Sequence, residues 1–371
     1  MNKKLISLLL SAALAVSMLT VPAFAAEGGE ADAALDETNE VVVTLGDTVT
    51  ASTVEDTDKA AADKTAADKT ETADSAPAAS TEKKQITYVA LGDSIVAGVG
   101  LADVKYTKDS TTLYSVDMSP NFKGYSPDCY VGKVATMMGL DRDHAINLGL
   151  PALTAPDLVD MVRDGQMPKM NMESGCWYKY PEFQDYIRKA DVVSIQIGSN
   201  DAFVPCIVAL GNATNWKSEA LAASVLAGDL RASGSPAAAL IQGIKDMHLT
   251  RDERNATWNL LTSEMSKICD RIYPQTTAGL ISVVQEIRKL NPDCQILLMG
   301  YTDPVPFIPC WHNYFKKLNK FEKQLAETYD LTYVAIPKAK TDLDVHPTIS
   351  GHEYIAKKIV NSIELAEDSA Q

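Results

Sequence analysis

After residue 25 the chain has no apolar run long enough to cross a bilayer. It also has no Cys-x-x-Cys pair, no excess of basic residues and, between Glu27 and Lys84, no aromatic side chain. Each shortage removes a class of protein. A membrane-spanning helix needs about 20 consecutive, mostly apolar residues, so none is expected. Structural zinc sites draw on closely spaced cysteines, so no metal ribbon is expected and no cofactor is called for. A net charge of −15 over 371 residues repels phosphate backbones, which argues against nucleic acid as a partner. The stretch 27–84 is rich in Ala, Thr and Asp and carries about two thirds of the excess negative charge. It has too little apolar surface to offset the entropy of ordering it.

At its start the chain reads as an export signal. Lys3 and Lys4 precede an apolar run from Leu5 to Leu19, and Ala23-Phe24-Ala25 has the small-x-small pattern of a cleavage site. Residues 1–25 are therefore read as a signal peptide cleaved after Ala25, with no cysteine nearby to carry a lipid, and the mature protein as extracellular. Residues 26–84 are read as a disordered acidic tether suited to cell-wall association. They include the near repeat Ala61-Ala62-Asp63-Lys64-Thr65, Ala66-Ala67-Asp68-Lys69-Thr70. The six cysteines (Cys129, Cys176, Cys206, Cys269, Cys294, Cys310) all lie beyond the tether. In an exported chain they permit disulfides, but six allow fifteen pairings and sequence does not choose among them.

From Gln85 the pattern changes to alternating strands and helices, giving one domain over 85–368. Short β-rich runs at 86–91, 145–148, 191–197, 295–299 and 331–336 read as five strands. Helical patterns at 131–140, 156–162, 277–290, 314–329 and 349–365 separate or follow them. Such alternation predicts an α/β fold: a five-stranded, mostly parallel sheet with helices on both faces. Residues 203–275 form a largely helical insertion between the third and fourth strands, expected to overhang the site as a cap or to bury an extra flank of the sheet.

In an open parallel sheet, ligands bind beyond the carboxyl ends of the strands. Three strings fall there: Leu91-Gly92-Asp93-Ser94 after the first strand, Gly198-Ser199-Asn200-Asp201 after the third, and Asp344-Val345-His346-Pro347 after the fifth. A serine hydroxyl becomes a useful nucleophile only when a base takes its proton. Gly92 permits the tight turn that exposes Ser94. Pro347 biases His346 toward extended angles just before the closing helix. Thr44-Leu45-Gly46-Asp47-Thr48 imitates the first string but sits in the tether with no helix after it. His352 falls inside the closing helix and reads as a packing or surface residue, while His144, His248 and His312 lack a partnered context.

The three strings, together with Asn147-Leu148-Gly149-Leu150-Pro151-Ala152-Leu153-Thr154, resemble the conserved blocks of the GDSL, or SGNH, esterases and lipases over roughly 85–363. The resemblance implies the flavodoxin-like fold of that family, an esterase activity without metal, Ser94 as nucleophile and His346 as base. It also implies an oxyanion hole of the Ser94 N–H, the Ala152 N–H and the Asn200 amide. Two positions depart from the pattern. Ala152 stands where the family has glycine. Leu343 stands where it has an aspartate three residues before the histidine. Asp344 and Asp342 flank that place, and in an extended segment residues two apart face the same side, which favours Asp344 as the group that orients His346.

Two other readings are open at this level. Asp342, Asp344 and His346 could ligate a divalent metal, and the fold could serve as a non-catalytic exported carbohydrate- or wall-binding module. The expected substrate is a small-molecule or polysaccharide ester, either an O-acetylated glycan or a lipid or acyl ester. Trp177, Tyr178, Tyr180, Trp216 and Trp311 are candidate cleft aromatics. Oligomeric state is not legible.

Overall fold

In the computed structural model of the chain, five short apolar runs pair as strands: β1 (Tyr88–Gly92), β2 (Ala145–Gly149), β3 (Val192–Gln196), β4 (Gln295–Met299) and β5 (Thr332–Val334). The structure describes residues 85–104, 122–226, 234–304, 306, 308–342 and 345–364. The signal-peptide and tether assignments (1–25 and 26–84) lie outside them. The order is β2-β1-β3-β4-β5 with every pairing parallel. This is the doubly wound flavodoxin-type order, whose chain reverses direction across the sheet between β1 and β3.

The strands are buried on both faces, and alternation divides them. Val89, Leu91, Ile146, Leu148, Val193 and Ile195 enter one apolar cluster, whereas Tyr88, Ala90, Ala145, Val192 and Leu297 enter the other. Burying each such large apolar side chain contributes about 1.5–3 kcal/mol, so the register cannot slip by one residue without turning both cores outward. The first face is covered by α3 (Ala155–Asp164), α9 (Met265–Leu290) and α10 (Pro309–Thr328) through Leu158, Val283 and Leu318. The second is covered by α2 (Tyr130–Met138) and α11 (Ile349–Val360) through Val131, Val134, Ile355 and Ile359.

The short helix α1 (Ser94–Ala97) follows β1, α4 (Phe183–Arg188) precedes β3, and α5 (Ser199–Thr214) follows it. The insertion then runs through α6 (Glu219–Leu226), α7 (Pro236–Asp246), α8 (Arg251–Asn259) and a π-helical turn at Leu260–Glu264 that leads into α9. The helix before β4 is expected only from 277, after the insertion ends at 275, and an interior proline costs about 3 kcal/mol. Instead α9 continues from 265 to 290 with Pro274 inside it. Its long buried stripe, including Cys269, Leu280, Val283 and Ile287, keeps the helix whole. The end of the expected insertion therefore falls within a helix rather than at a boundary.

Candidate active site

The turn after β1 places Ser94. Gly92 has φ +154°, and a Cβ there would lie 2.0 Å from the Gln196 carbonyl oxygen, so only glycine fits between β1 and β3. Asp93 then caps α1: its side chain accepts the Ile95 N–H at 3.0 Å. Its second carboxylate oxygen accepts the Ser199 hydroxyl at 2.6 Å and the Tyr301 hydroxyl at 3.4 Å. Burial raises the Asp93 carboxyl above its ordinary range, and the Ser199 bond pulls the other way. Ser94 is the first residue of α1, so its own N–H has no intrahelical acceptor.

His346 arrives from the far end of the chain. Its Nε2 lies 2.9 Å from Ser94 Oγ across 252 residues of sequence, and the imidazole is buried. The loop that carries it joins β5 to α11. Asp342 N–H donates to the His346 carbonyl at 2.9 Å and Val345 N–H to the Asp342 carbonyl at 3.0 Å. Val345 in this loop has φ +62°, an unfavourable angle for a β-branched residue, and its side chain is buried. Asp344, favoured over Asp342 by alternation, lies outside the described residues. Thr348 caps α11 by accepting the Gly351 N–H, so His346 sits just before a helix entrance.

The loop after β2 and the start of α5 complete the rim. Asn147 donates to the Val96 carbonyl at 2.8 Å, and Leu150 N–H donates to the Gly92 carbonyl at 2.9 Å, tying this loop to the Ser94 turn. Ala152 follows with φ +62°, a left-handed angle at which glycine is the unstrained residue. Asn200 donates one amide N–H to the Leu153 carbonyl at 2.9 Å, which fixes the side chain and leaves its second N–H. Asp201 accepts the Ala155 N–H at 2.9 Å. Burial pushes its carboxyl up to about 7. Tyr314 on α10 donates to the Gly198 carbonyl at 2.7 Å, holding the start of α5 from behind.

A pocket open to solvent adjoins Ser94 and His346. Its walls are mostly apolar, with Phe203, Phe315, Tyr301, Ile336 and Val345 among them. None of the five candidate aromatics lines it. Trp311 is fully buried and packs edge-on to Phe203 at 4.7 Å, while Trp177 is exposed. Of the insertion, Phe203 alone among the described residues reaches the cavity.

The remaining histidines are placed differently from one another. His352 is buried and accepts the Tyr130 N–H at 3.2 Å, and burial holds it neutral, its pKa lowered to about 3. It caps α2. His144 and His312 do have carboxylate partners, Asp141 at 2.7 Å and Asp303 at 2.8 Å, which the sequence did not signal. No group of three or more His, Cys, Asp or Glu among the described residues is placed to hold a metal ion, and no described helix is long and apolar enough to cross a membrane. Sequence reasoning gave no role to Asp93, Ser199 or Tyr301. The first two sit inside the recognised strings, but Tyr301 shows itself only by its place just past the carboxyl end of β4.

Comparison with known proteins follows from this geometry. Residues 90–354 match the GDSL-like Lipase/Acylhydrolase family. Among curated proteins none matches the chain. Among solved structures, a phospholipase A1 from Streptomyces albidoflavus is similar at 15% identity and TM-score 0.43, covering 76% of this chain and 100% of that one. A lipase from a goat rumen metagenome is similar at 15% identity and TM-score 0.42, covering 75% and 97%. A carbohydrate acetylesterase from Sinorhizobium meliloti is similar at 13% identity and TM-score 0.40, covering 74% and 97%.

Proposed function

Because this chain belongs to the GDSL-like lipase/acylhydrolase family and is a carboxylic ester hydrolase, we propose that it is an exported serine esterase acting on esters with an apolar acyl chain. The observation that carries this reading is the 2.9 Å approach of His346 Nε2 to Ser94 Oγ beside an apolar cavity. His346 takes the Ser94 proton as Oγ attacks the ester carbonyl, then returns a proton to the leaving alcohol, and water releases the acyl group. The Ser94 N–H, the Ala152 N–H and the second amide N–H of Asn200 receive the oxyanion. Asp344 is assigned to orient the imidazole. Residues 1–25 direct export and 26–84 form the tether.

The lining of Phe203, Phe315, Ile336 and Val345 supports an acyl chain in preference to the O-acetyl group of a glycan. Each methylene moved from water into such a wall is worth about 0.8 kcal/mol, or roughly fourfold in kcat/KM. The test is a 4-nitrophenyl ester series from acetyl to octanoyl run beside acetylated xylan, with Ser94→Ala as control. Turnover rising severalfold with early chain length, slow release from xylan and loss of both activity and fluorophosphonate labelling in the variant are expected. A Ser94→Ala protein that keeps full activity, or a preference for the acetylated glycan, would refute the corresponding part.

A further inference from the structure

The six cysteines are all buried and all carry free thiols, but they are not evenly spread. Cys206 on α5, Cys269 on α9 and Cys310 on α10 all enter the apolar cluster on the first face of the sheet, and Cys269 and Cys310 wall one recess between α9 and α10. The helix register explains the meeting. α9 and α10 are the crossovers on either side of β4 and run side by side in the same direction. Tyr273 packs edge-on to Tyr314 at 6.3 Å, the Tyr314 and Thr276 hydroxyls lie 3.3 Å apart, and Lys317 pairs with Asp270 at 2.7 Å. One helical turn before the tyrosine pair, at the same sequence offset, this register sets Cys269 beside Cys310.

Access distinguishes the three thiols. A recess between α9 and α10 is walled by Cys269 and Cys310, with Asp270, Tyr273, Asn313 and Lys317. Cys206 does not line it, and its exposure is 0% against 4% and 5% for Cys269 and Cys310. Neither of these thiols serves the chemistry at Ser94.

We propose that Cys269 and Cys310 are a redox pair that closes to a disulfide stapling α9 to α10. The oxidant is a low-molecular-weight disulfide entering the recess. One cysteine, its thiol held protonated by a neighbouring thiol and by burial, gives up its proton and attacks, forming a mixed disulfide as that proton leaves with the released thiol. The second cysteine thiolate then displaces the other half as a second thiol, so two protein thiols become one S–S bond as the reagent disulfide is reduced. The bond closes a loop that contains β4 and the rim residues after it, including Tyr301. Oxidation therefore fixes α10, which carries Phe315 and Trp311, against the rest of the core. A disulfide across a loop of this length restricts the unfolded chain.

The full chain is incubated with oxidised glutathione, then unfolded, alkylated with N-ethylmaleimide and peptide-mapped by mass spectrometry. Two of the six thiols should escape alkylation, and the Cys269 peptide should be found joined to the Cys310 peptide. Cys206→Ser should keep that linkage, and Cys310→Ser should lose it. Oxidation should raise the thermal midpoint by roughly 5–10 °C, reversibly with a phosphine reductant. Six alkylated thiols after oxidation, a lasting glutathione adduct or a linkage through Cys206 would overturn the pairing. A midpoint that does not move would overturn the staple even where the bond forms.

Discussion

Glu322 on α10 is fully buried, and neither carboxylate oxygen has a hydrogen-bond partner among the described residues. Burial drives its pKa well above the ordinary glutamate value of 4.5. The folded protein therefore holds a proton that the unfolded chain releases, and stability present below about pH 4.5 is lost as pH rises toward the folded-state pKa. Keeping that proton costs stability that grows as the pH rises above 4.5. The unpartnered oxygens add a penalty of about 1–3 kcal/mol that does not depend on pH. Glu322→Gln removes only the first cost. It should be more stable than the wild type, and by more at pH 7 than at pH 5. Glu322→Met, similar in length and apolar, should add a further 1–3 kcal/mol or so at both pH values. Urea unfolding followed by tryptophan fluorescence at the two pH values measures the differences, and comparison with the wild type cancels every other titrating group. Variants that are less stable than the wild type at pH 7, or a difference that does not change with pH, would show that Glu322 is charged and paired.

Three further outcomes are expected. Asn200→Ala should lower kcat by roughly 10²–10³ with little change in KM, because the amide acts on the oxyanion and not on the bound ester; a fall of less than fivefold would remove Asn200 from that role. Ala152→Gly should relieve the left-handed strain and raise unfolding stability by about 1 kcal/mol, with kcat/KM kept within about threefold, and a loss of stability in urea unfolding would contradict the strain. Asp201, with its carboxyl pushed up to about 7, binds a proton in the folded state that the unfolded chain releases near 3.8. Stability should therefore decline as pH rises from about 4 to about 7. Asp201→Asn should flatten that part of the stability profile, and an unchanged slope would show that the carboxylate is ionised throughout.

Much of the sheet was legible along the chain because a strand buried on both faces leaves a short apolar run that ends in small residues. All five strands lie within two residues of their expected limits; Ser94 and Asn200 stand just beyond β1 and β3, and His346 lies on the loop between β5 and α11. Local signals failed where tertiary packing overrode them. Pro274 marks a helix end by propensity, yet α9 passes through it because its apolar stripe is buried on neighbouring helices. Tyr301 and Glu322 bore no signal, since their significance depends on what surrounds them.

The order of strands and helices, and the placing of a serine and an amide at strand ends with an imidazole beyond the fifth strand, were determined by the sequence alone. Both follow from periodicity and from which residues tolerate a tight turn. Only the tertiary structure decided the distances between them, because a 2.9 Å contact across 252 residues depends on how five strands stack and on which loops their ends can reach. The same holds for the thiols. Six cysteines are countable in a sequence, but which of them meet is settled by the register of two parallel helices.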